Sequence, residues 1–349
     1  MYNVIRVPSF KLYYKEKYPI PIISSTKLAG ICEDLCVDIL HTHHPFGLGI
    51  PALKAAKTLN KPLVFTYHTL YEHYCHYLPV PNTEFTRYYI KKLAIDYACK
   101  CNLVIAPTKA TKYMLINSGC KADIDILPTG ISESLKIPAN EIDTALLRNM
   151  YNITTNTPVL LSVSRLADEK NIGFILEVLA LIKMKLPDVI LLIVGGGPSL
   201  TKLQRRVKYL RLENNVIFAG PLNHCNVAKH YQIATVFVNS SKTETQGLPI
   251  IEALHFGLPV VSIESPANNE LVGDLQTGIV TPDNVIKFSE AVCELLSNSL
   301  QLSRYHINNK ITAKQFDSDT LTNKLQSIYM QLTRPVSTLS EAYNYGFAR

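Results

Sequence analysis

From Val37 onward, short apolar runs alternate with segments of helical periodicity, and this alternation constrains the fold more than any other feature of the sequence. Each apolar run is closed by glycine, proline or polar residues, as buried strands are. Buried strands separated by helices indicate parallel sheets that are covered on both faces. The sequence therefore predicts an α/β fold made of two doubly wound, Rossmann-like domains in tandem.

The division between the domains is predicted in the polar, proline-flanked stretch 132–156. This gives an N-terminal domain of residues 1–145, a C-terminal domain of residues 146–330 and a tail, 331–349, that packs back on the N-terminal domain. A ligand site is expected in the cleft between the domains, at the carboxyl ends of the strands. The first 30 residues lack the apolar strand and glycine-rich turn with which such domains open, so we expect an N-terminal domain shortened by its first strand.

Net charge and cysteine content indicate which ligands and which cellular location suit this chain. The formal net charge is +7, and the basic excess lies mostly in the first half of the chain, which suits a phosphorylated ligand or an anionic membrane surface. No nucleic-acid-binding motif accompanies it, so nucleic acid is not an expected partner. The eight cysteines form no CxxC pair, no signal peptide is evident and no run of 18 apolar residues exists. We therefore expect reduced thiols and a cytoplasmic protein whose membrane contact is peripheral, on the inner face.

The segment SKTETQGLPIIEALHFGLPVV carries the strongest chemical signal. It places Glu244 and Glu252 eight positions apart, the first in a loop and the second inside the helix that follows. The Gln246, Gly247 and Leu248 peptides stand at the start of that helix, where unpaired amides and the helix dipole attract phosphate. One loop and helix thus offer a phosphate cradle and two carboxylates that can accept hydrogen bonds from sugar hydroxyls.

Two further strand-to-helix loops add to this pattern. SVSRLADEKN places Arg165 and Lys170 after a strand, where two cations suit a diphosphate whose charge grows as its bond to a sugar breaks. A lysine near a helix start is disfavoured by the dipole, so its presence there favours an anion. In IVGGGPSL, Gly196 either binds the ligand or serves close packing of strand and helix, and both interpretations stay open.

Together, SRLADEKN, VGGGP and ETQGLPIIEALHFGLPVV resemble the retaining glycosyltransferases with the GT-B fold. Upstream, HTHHPFGLG, VFTYHTLYEHYCHYLP, VIAPT and ILPTGI are similar to the bacterial branch of that family that glucosylates diacylglycerol. The resemblance spans about residues 2–290, and several motifs in the same order make it specific.

The resemblance implies a role for each matching residue. Glu252 would bind the donor ribose, Glu244 would contact the transferred sugar, Arg165 and Lys170 would hold the diphosphate, and His68 would lie beside the sugar. The donor would be UDP-glucose or a close relative, and the acceptor a diacylglycerol-type lipid at an anionic membrane. The family pattern further implies retained anomeric configuration, proton transfer to the leaving phosphate, and neither a cofactor nor an essential metal. No obligate protein partner is predicted.

Two alternatives stay open. The strand and glycine-rich turn that the family pattern places before Tyr2 are not in the sequence, so the chain could be a shortened, inactive remnant or a protein that binds a nucleotide without transfer. Within enzymes, the acceptor could be a soluble sugar or a cell-wall precursor instead of a lipid.

Histidines cluster in the first half of the chain and raise the question of zinc. His41 and His43 are two apart on a predicted strand, so both could face one side, but no carboxylate or cysteine spacing completes a site. No metal centre is therefore predicted. Six of the ten histidines form this cluster, namely His41, His43, His44, His68, His73 and His76.

The predicted helix FTRYYIKKLAIDYACK interleaves aromatic and basic residues, Phe85, Tyr88 and Tyr89 with Lys91 and Lys92. It is either a core helix with a solvated face or an interfacial helix that inserts its aromatic rings while its lysines meet anionic lipid.

Overall fold

The computed structural model describes residues 4–13, 17–75, 81–136 and 140–334. The chain divides into two compact units: the first holds the chain up to Pro128 and again from Leu321 onward, and the second is Thr129–Thr320. The second unit is thus inserted between the two parts of the first.

The first unit opens with an antiparallel hairpin and continues as alternating helices and strands. In chain order its elements are β1 (Ser9–Tyr13), β2 (Lys17–Pro21), α1 (Ser25–Asp34), β3 (Leu40–Thr42), α2 (Gly49–Thr58), β4 (Leu63–Thr66), α3 (Glu84–Ala98), β5 (Leu103–Ala106), α4 (Lys109–Asn117) and β6 (Asp123–Ile126). Its parallel strands lie in the order β3-β4-β5-β6. Within the described residues, β3 is therefore an edge strand.

The second unit repeats the alternation around a larger parallel sheet. Its elements, with the helix that leads back into the first unit, are α5 (Glu133–Lys136), α6 (Glu141–Met150), β7 (Val159–Val163), α7 (Ile172–Lys185), β8 (Ile190–Val194), α8 (Leu200–Tyr209), β9 (Val216–Gly220), α9 (His224–Ile233), β10 (Val236–Asn239), α10 (Leu248–His255), β11 (Val260–Ile263), α11 (Pro266–Asn268), β12 (Gly278–Thr281), α12 (Val285–Ser297), α13 (Ser299–Ala313) and α14 (Ser318–Thr333). The strands lie in the order β12-β11-β10-β7-β8-β9. The structure therefore has the predicted α/β architecture with parallel sheets.

Local sequence explains where these elements start and what they bury. Several helices begin after a residue whose side-chain oxygen accepts a backbone N–H three residues on, as Thr83, Asn223 and Asn284 do for α3, α9 and α12. The central strands of the second unit are apolar along their length because helices cover both faces of the sheet.

Helix α14 closes the core of the first unit. Its Leu321 and Ile328 pack against Val64, Leu103 and Ile105 on one face of the four-stranded sheet. The opposite face of that sheet is covered by α1, α2 and α3. The first unit thus completes its core with residues from the far end of the described chain.

The observed limits differ from the predicted ones in three places. The units divide at Pro128, not at residue 145, because α5 and α6 pack on α9 of the second unit. The four-residue strand β12 was not predicted, since it contains a glycine and lies at the edge of its sheet. The poorly patterned first 30 residues contain β1, β2 and part of α1, and the predicted tail lies outside the described residues beyond position 334.

Asn309 on α13 provides a test of how this helix is attached to the sheet. Its side chain is fully buried, and its Nδ2 donates to the carbonyl oxygens of Leu258 at 2.7 Å and Thr277 at 2.9 Å. Because Asn309→Ala leaves both carbonyls buried without this donor, we expect the free energy of unfolding to fall by about 2–3 kcal/mol. Urea unfolding followed by circular dichroism measures this. Asn308→Ala, which removes a hydrogen bond to Gln276 nearer the surface, should cost less than about 1 kcal/mol, and equal losses would contradict the prediction.

Candidate active site

The winding of the second sheet reverses between β7 and β10. From β7 the chain moves outward through β8 and β9 on one side, and it then returns to β10 and continues through β11 and β12 on the other. Ligands of doubly wound proteins bind at the carboxyl ends of the strands where such a reversal occurs. Arg165 and Lys170 follow β7, Gly196 follows β8 and Glu244 follows β10. The structure therefore brings these predicted residues together at the carboxyl ends of the strands.

Lys170 and Glu244 form an ion pair across this reversal. The Lys170 Nζ lies 2.5 Å from the Glu244 Oε1, and the two side chains are 18% and 16% exposed. The loops that carry them are also joined by Ser240, whose hydroxyl donates to the carbonyl oxygens of Lys170 and Asn171, both at 2.9 Å. A shielded pair of this kind is less screened by salt than a surface pair. Removal of either side chain would therefore take away a partly buried partner of the other.

The glycine turn after β8 packs directly against the loop after β7. A Cβ on Gly195 would lie 1.9 Å from the carbonyl oxygen of Ser164, and one on Gly197 would lie 2.4 Å from that of Leu166. The Leu166 N–H donates to the carbonyl of Gly196 at 2.9 Å. Close packing therefore explains Gly195 and Gly197, while a contact between Gly196 and a ligand stays a prediction.

Buried hydroxyl groups cluster beside the charged residues. The side-chain oxygens of Ser164, Ser241 and Thr243 are buried and have no hydrogen-bond partner within the described part of the chain. Ser164 precedes Arg165, and the other two precede Glu244. Buried hydroxyls of this kind are costly unless bonded. The loops that carry Arg165 and Glu244 thus contain buried hydroxyls whose bonding capacity is unused within the described residues.

Gly247 sets the direction of α10 and thereby the start of the predicted phosphate cradle. It adopts a left-handed backbone with φ of 78°, and a Cβ there would lie 3.3 Å from the Ile250 Cδ1. Leu248 follows as the first helical residue, and its side chain is largely exposed. Glycine is therefore required at the turn that delivers these peptide groups to the helix N-terminus.

The Gln246 side chain makes hydrogen bonds that the sequence did not predict. It is buried, and its amide group both accepts from the Thr129 N–H at 2.9 Å and donates to the Thr129 carbonyl at 3.0 Å. These two hydrogen bonds attach Thr129, the first residue of the second unit, to the loop before α10. The predicted contact with phosphate concerned the Gln246 peptide group, and it stays a prediction.

Glu252 lies one turn into α10. Its Oε2 accepts a hydrogen bond of 2.8 Å from the hydroxyl of Tyr231 on α9. Burial raises the pKa of Glu252 above its ordinary value, and the Tyr231 hydrogen bond and His224 partly offset this rise. Sequence reasoning did not find Tyr231.

His68 belongs to the first unit. Strand β4 ends at Thr66, so His68 lies two residues beyond the strand that was expected to carry it, in an exposed position. Its ring centroid is 5.8 Å from that of His43, and its Nδ1 is 3.1 Å from the Thr69 Oγ1. Its predicted place beside the sugar stays a prediction.

The histidine cluster is organised around His41. The His41 ring is hydrogen-bonded to Tyr329 on α14 and to the Thr66 Oγ1, the latter at 2.7 Å. Burial, with smaller contributions from His43 and His68, lowers the pKa of His41 to about 4, so the ring is neutral at physiological pH. His41 thus links α14 to the sheet. Among the described residues, no group of three or more side chains could hold a metal ion; His76 lies outside them.

Two sequence families account for most of the chain. The family described as Glycosyl transferases group 1 matches residues 143–312, and the family described as Glycosyltransferase Family 4 matches residues 2–135. Each match coincides with one half of the tandem α/β architecture. The chain belongs to the GT-B glycosyltransferases.

Curated relatives of this glycosyltransferase include two enzymes named alpha-monoglucosyldiacylglycerol synthase. The one from Streptococcus pneumoniae is 31% identical over 280 residues, which cover 79% of this chain and 63% of the relative. The one from Acholeplasma laidlawii is 27% identical over 337 residues, which cover 95% of this chain and 84% of the relative. The match therefore spans less than two thirds of the pneumococcal enzyme.

Solved structures give the same fold. Anabaena Alr3699/HepE, determined in complex with UDP-glucose, superposes with a TM-score of 0.75 at 22% identity, covering 88% of this glycosyltransferase and 82% of that chain. Sucrose-phosphate synthase from Thermosynechococcus elongatus superposes with a TM-score of 0.73 at 20% identity, covering 88% and 77%. None of the helices in the described part of this glycosyltransferase has the length and apolar character needed to cross a membrane.

The glycine turn supplies a test with a neighbouring control. Gly195 has a positive φ of 134°, and a Cβ would collide with the Ser164 carbonyl, so we expect Gly195→Ala to lower the free energy of unfolding by about 3 kcal/mol or more. In Gly196→Ala the new Cβ meets the Pro221 ring, its nearest atom Cδ at an ordinary 3.4 Å, so stability should change by less than about 1 kcal/mol. Urea unfolding of both variants measures the difference, and equal stabilities would refute the packing argument.

Proposed function

We propose that this glycosyltransferase transfers a hexose, glucose in the first instance, from a UDP-sugar to a diacylglycerol-type lipid. The observation that carries the proposal is the Lys170–Glu244 pair at the sheet reversal, beside the start of α10. A cation for the diphosphate and a carboxylate for the sugar are the groups that a nucleotide-sugar donor requires. The names of the two bacterial relatives support glucose as the sugar and diacylglycerol as the acceptor.

Each predicted residue has a part in this reaction. Glu252 accepts the hydrogen bonds of the ribose, Glu244 accepts those of the hexose, and His68 has the role beside the hexose that the resemblance implies. Arg165 and Lys170 bind the diphosphate, together with the peptide groups at the start of α10. These roles come from the family resemblance, and their chemistry agrees with the charge and hydrogen-bonding capacity of each side chain.

The reaction balances without a metal ion or a cofactor. The bond between the anomeric carbon and the UDP oxygen breaks, and a bond to the acceptor oxygen forms on the same face of the sugar. The acceptor proton passes to the leaving phosphate oxygen. Arg165 and Lys170 stabilise the negative charge that grows on the diphosphate as the first bond breaks.

Substitution at the donor site tests the proposal. With UDP-glucose and vesicles of anionic lipid and diacylglycerol, we expect Arg165→Ala and Glu252→Gln to slow UDP release by about 100-fold, since each removes a charged contact to the donor. Arg206→Ala is the matched control, because Arg206 pairs with Glu177 away from the site, and it should retain activity within about twofold.

Four outcomes would count against the proposal in different ways. Full turnover by Arg165→Ala and Glu252→Gln would refute the site. No turnover by a folded wild-type chain that still binds UDP would favour the nucleotide-binding alternative, and a folded chain that neither binds nor turns over a donor would favour the inactive remnant. Turnover that needs a soluble sugar instead of vesicles would refute the lipid acceptor.

Helix α3 supports a peripheral position on the inner face of the cell membrane. Its N-terminal half exposes three aromatic side chains: Phe85 is 76%, Tyr88 64% and Tyr89 52% exposed. Lys91 and Lys92 follow on the same helix; Lys91 pairs with Glu72 at 3.7 Å, and Lys92 is exposed. A helix with exposed rings and neighbouring cations suits the interface of an anionic bilayer. This favours the interfacial interpretation of α3 over that of a core helix with a solvated face.

Membrane binding by α3 is testable by cosedimentation with vesicles that contain anionic lipid. Replacing Phe85, Tyr88 and Tyr89 together by serine should weaken vesicle binding at least tenfold, because the apolar area that enters the interface is lost. UDP binding should be unchanged. A control that replaces exposed Tyr113 and Ile116 of α4 by serine should bind vesicles like the wild type, and an equal loss in both variants would refute the role of α3.

A further inference from the structure

Tyr231 is the most deeply buried polar side chain that contacts a predicted donor-site residue. It lies on α9 and has no exposed surface. Its ring stacks on Phe256, with centroids 5.3 Å apart and planes at 6°, and it lies 5.9 Å from the Phe237 ring. The ring is therefore fixed on two sides, and the position of its hydroxyl is fixed with it.

The hydroxyl of Tyr231 has one proton and two acceptors within reach. The Glu252 Oε2 is at 2.8 Å and the Pro249 carbonyl oxygen is at 3.1 Å. A hydrogen bond to a carboxylate is shorter and stronger than one to a neutral carbonyl, so the proton goes to Glu252. With Oε2 held by the phenol, the plane of the carboxylate is set, and Oε1 is the oxygen that can accept from a ligand.

Packing alone does not explain a tyrosine at this position. Its two aromatic neighbours are phenylalanines, and a third would fill the same space. A fully buried hydroxyl is costly unless it is hydrogen-bonded. The hydroxyl of Tyr231 is explained by the hydrogen bond that it donates to the carboxylate of Glu252.

We infer that Tyr231 is a positioning residue for donor binding: its hydroxyl holds the Glu252 carboxylate in the orientation that receives the ribose hydroxyls of the nucleotide. This inference rests on the proposed function, since it needs a nucleotide at Glu252. Tyr231 does not touch the donor, and its effect on affinity acts through Glu252.

The test is isothermal titration calorimetry of the full chain with UDP. Tyr231→Phe should weaken UDP binding about tenfold, the usual effect of losing a hydrogen bond to a charged group. For 2′,3′-dideoxy-UDP, which lacks both ribose hydroxyls, the wild type and Tyr231→Phe should bind equally. Tyr151→Phe is the matched control, because the Tyr151 hydroxyl bonds His230 at 2.9 Å in the same unit, and it should leave UDP affinity within about twofold.

The pH dependence of UDP binding gives a second readout. The titratable groups that act on Glu252 are Tyr231 and His224, both on α9, and both lower the pKa that burial has raised. Only the ionised carboxylate accepts from both ribose hydroxyls, so UDP affinity is full above the pKa of Glu252 and falls as the pH drops through it. Loss of the Tyr231 hydroxyl raises this pKa further. In Tyr231→Phe the fall in affinity should therefore begin at a higher pH than in the wild type.

The outcomes separate the inference from the function on which it rests. A folded wild type that does not bind UDP refutes the proposed function itself. A wild type that binds UDP, with Tyr231→Phe binding equally well, refutes only the inference. If Tyr231→Phe weakened the binding of UDP and of its dideoxy analogue equally, Tyr231 would act through packing, and the inference would be overturned.

A folding defect does not block the test. If Tyr231→Phe fails to fold, the double variant Tyr231→Phe/Glu252→Gln should regain the wild-type thermal midpoint, because no buried carboxylate then needs the hydroxyl. Failure of the double variant to recover would contradict the pairing.

Discussion

The contact between the loops after β7 and β10 is the interaction on which the candidate site depends. These two loops start from neighbouring parallel strands at the place where the sheet changes direction, and the Lys170–Glu244 ion pair joins them. Both side chains are mostly buried, so salt screens this ion pair less than it screens a surface pair. The buried Ser240 hydroxyl adds a second link to the same loop. Opposite charges therefore stand side by side, as the proposed binding of a donor with an anionic diphosphate and a neutral sugar requires.

Sequence patterning predicted the fold well where burial alone decides structure. Strands such as β7 and β8 are apolar because both of their faces are covered. Sequence patterning predicted the elements and their limits less well where long-range packing decides the structure. Strand β12 is short and glycine-led, and β1 depends on pairing with β2, a strand that contains Pro19 and Pro21. The division between the units was predicted too late, because nothing local shows that α5 and α6 pack on α9.

The candidate site shows the same difference between residues that local motifs predict and residues that only long-range packing brings in. Arg165, Lys170 and Glu244 stand in ordered motifs, and the sheet topology alone brings them to one edge. The partners that orient such residues come from distant parts of the chain: Gln246 bonds Thr129, and Tyr231 bonds Glu252. No spacing rule links positions so far apart, so these contacts appear only once the chain is folded. Sequence patterning thus predicts which residues gather at the reversal of the sheet better than it predicts which residues hold them there.

The insertion of one unit within the other has a consequence for biosynthesis. During translation, the face of the first sheet that carries Val64 and Ile105 emerges from the ribosome long before Leu321 and Ile328 of α14 can cover it. The second unit is complete before that cover is made. The nascent chain therefore exposes this apolar face while a whole domain is synthesised, which makes the N-terminal half the part most open to aggregation before the chain is complete.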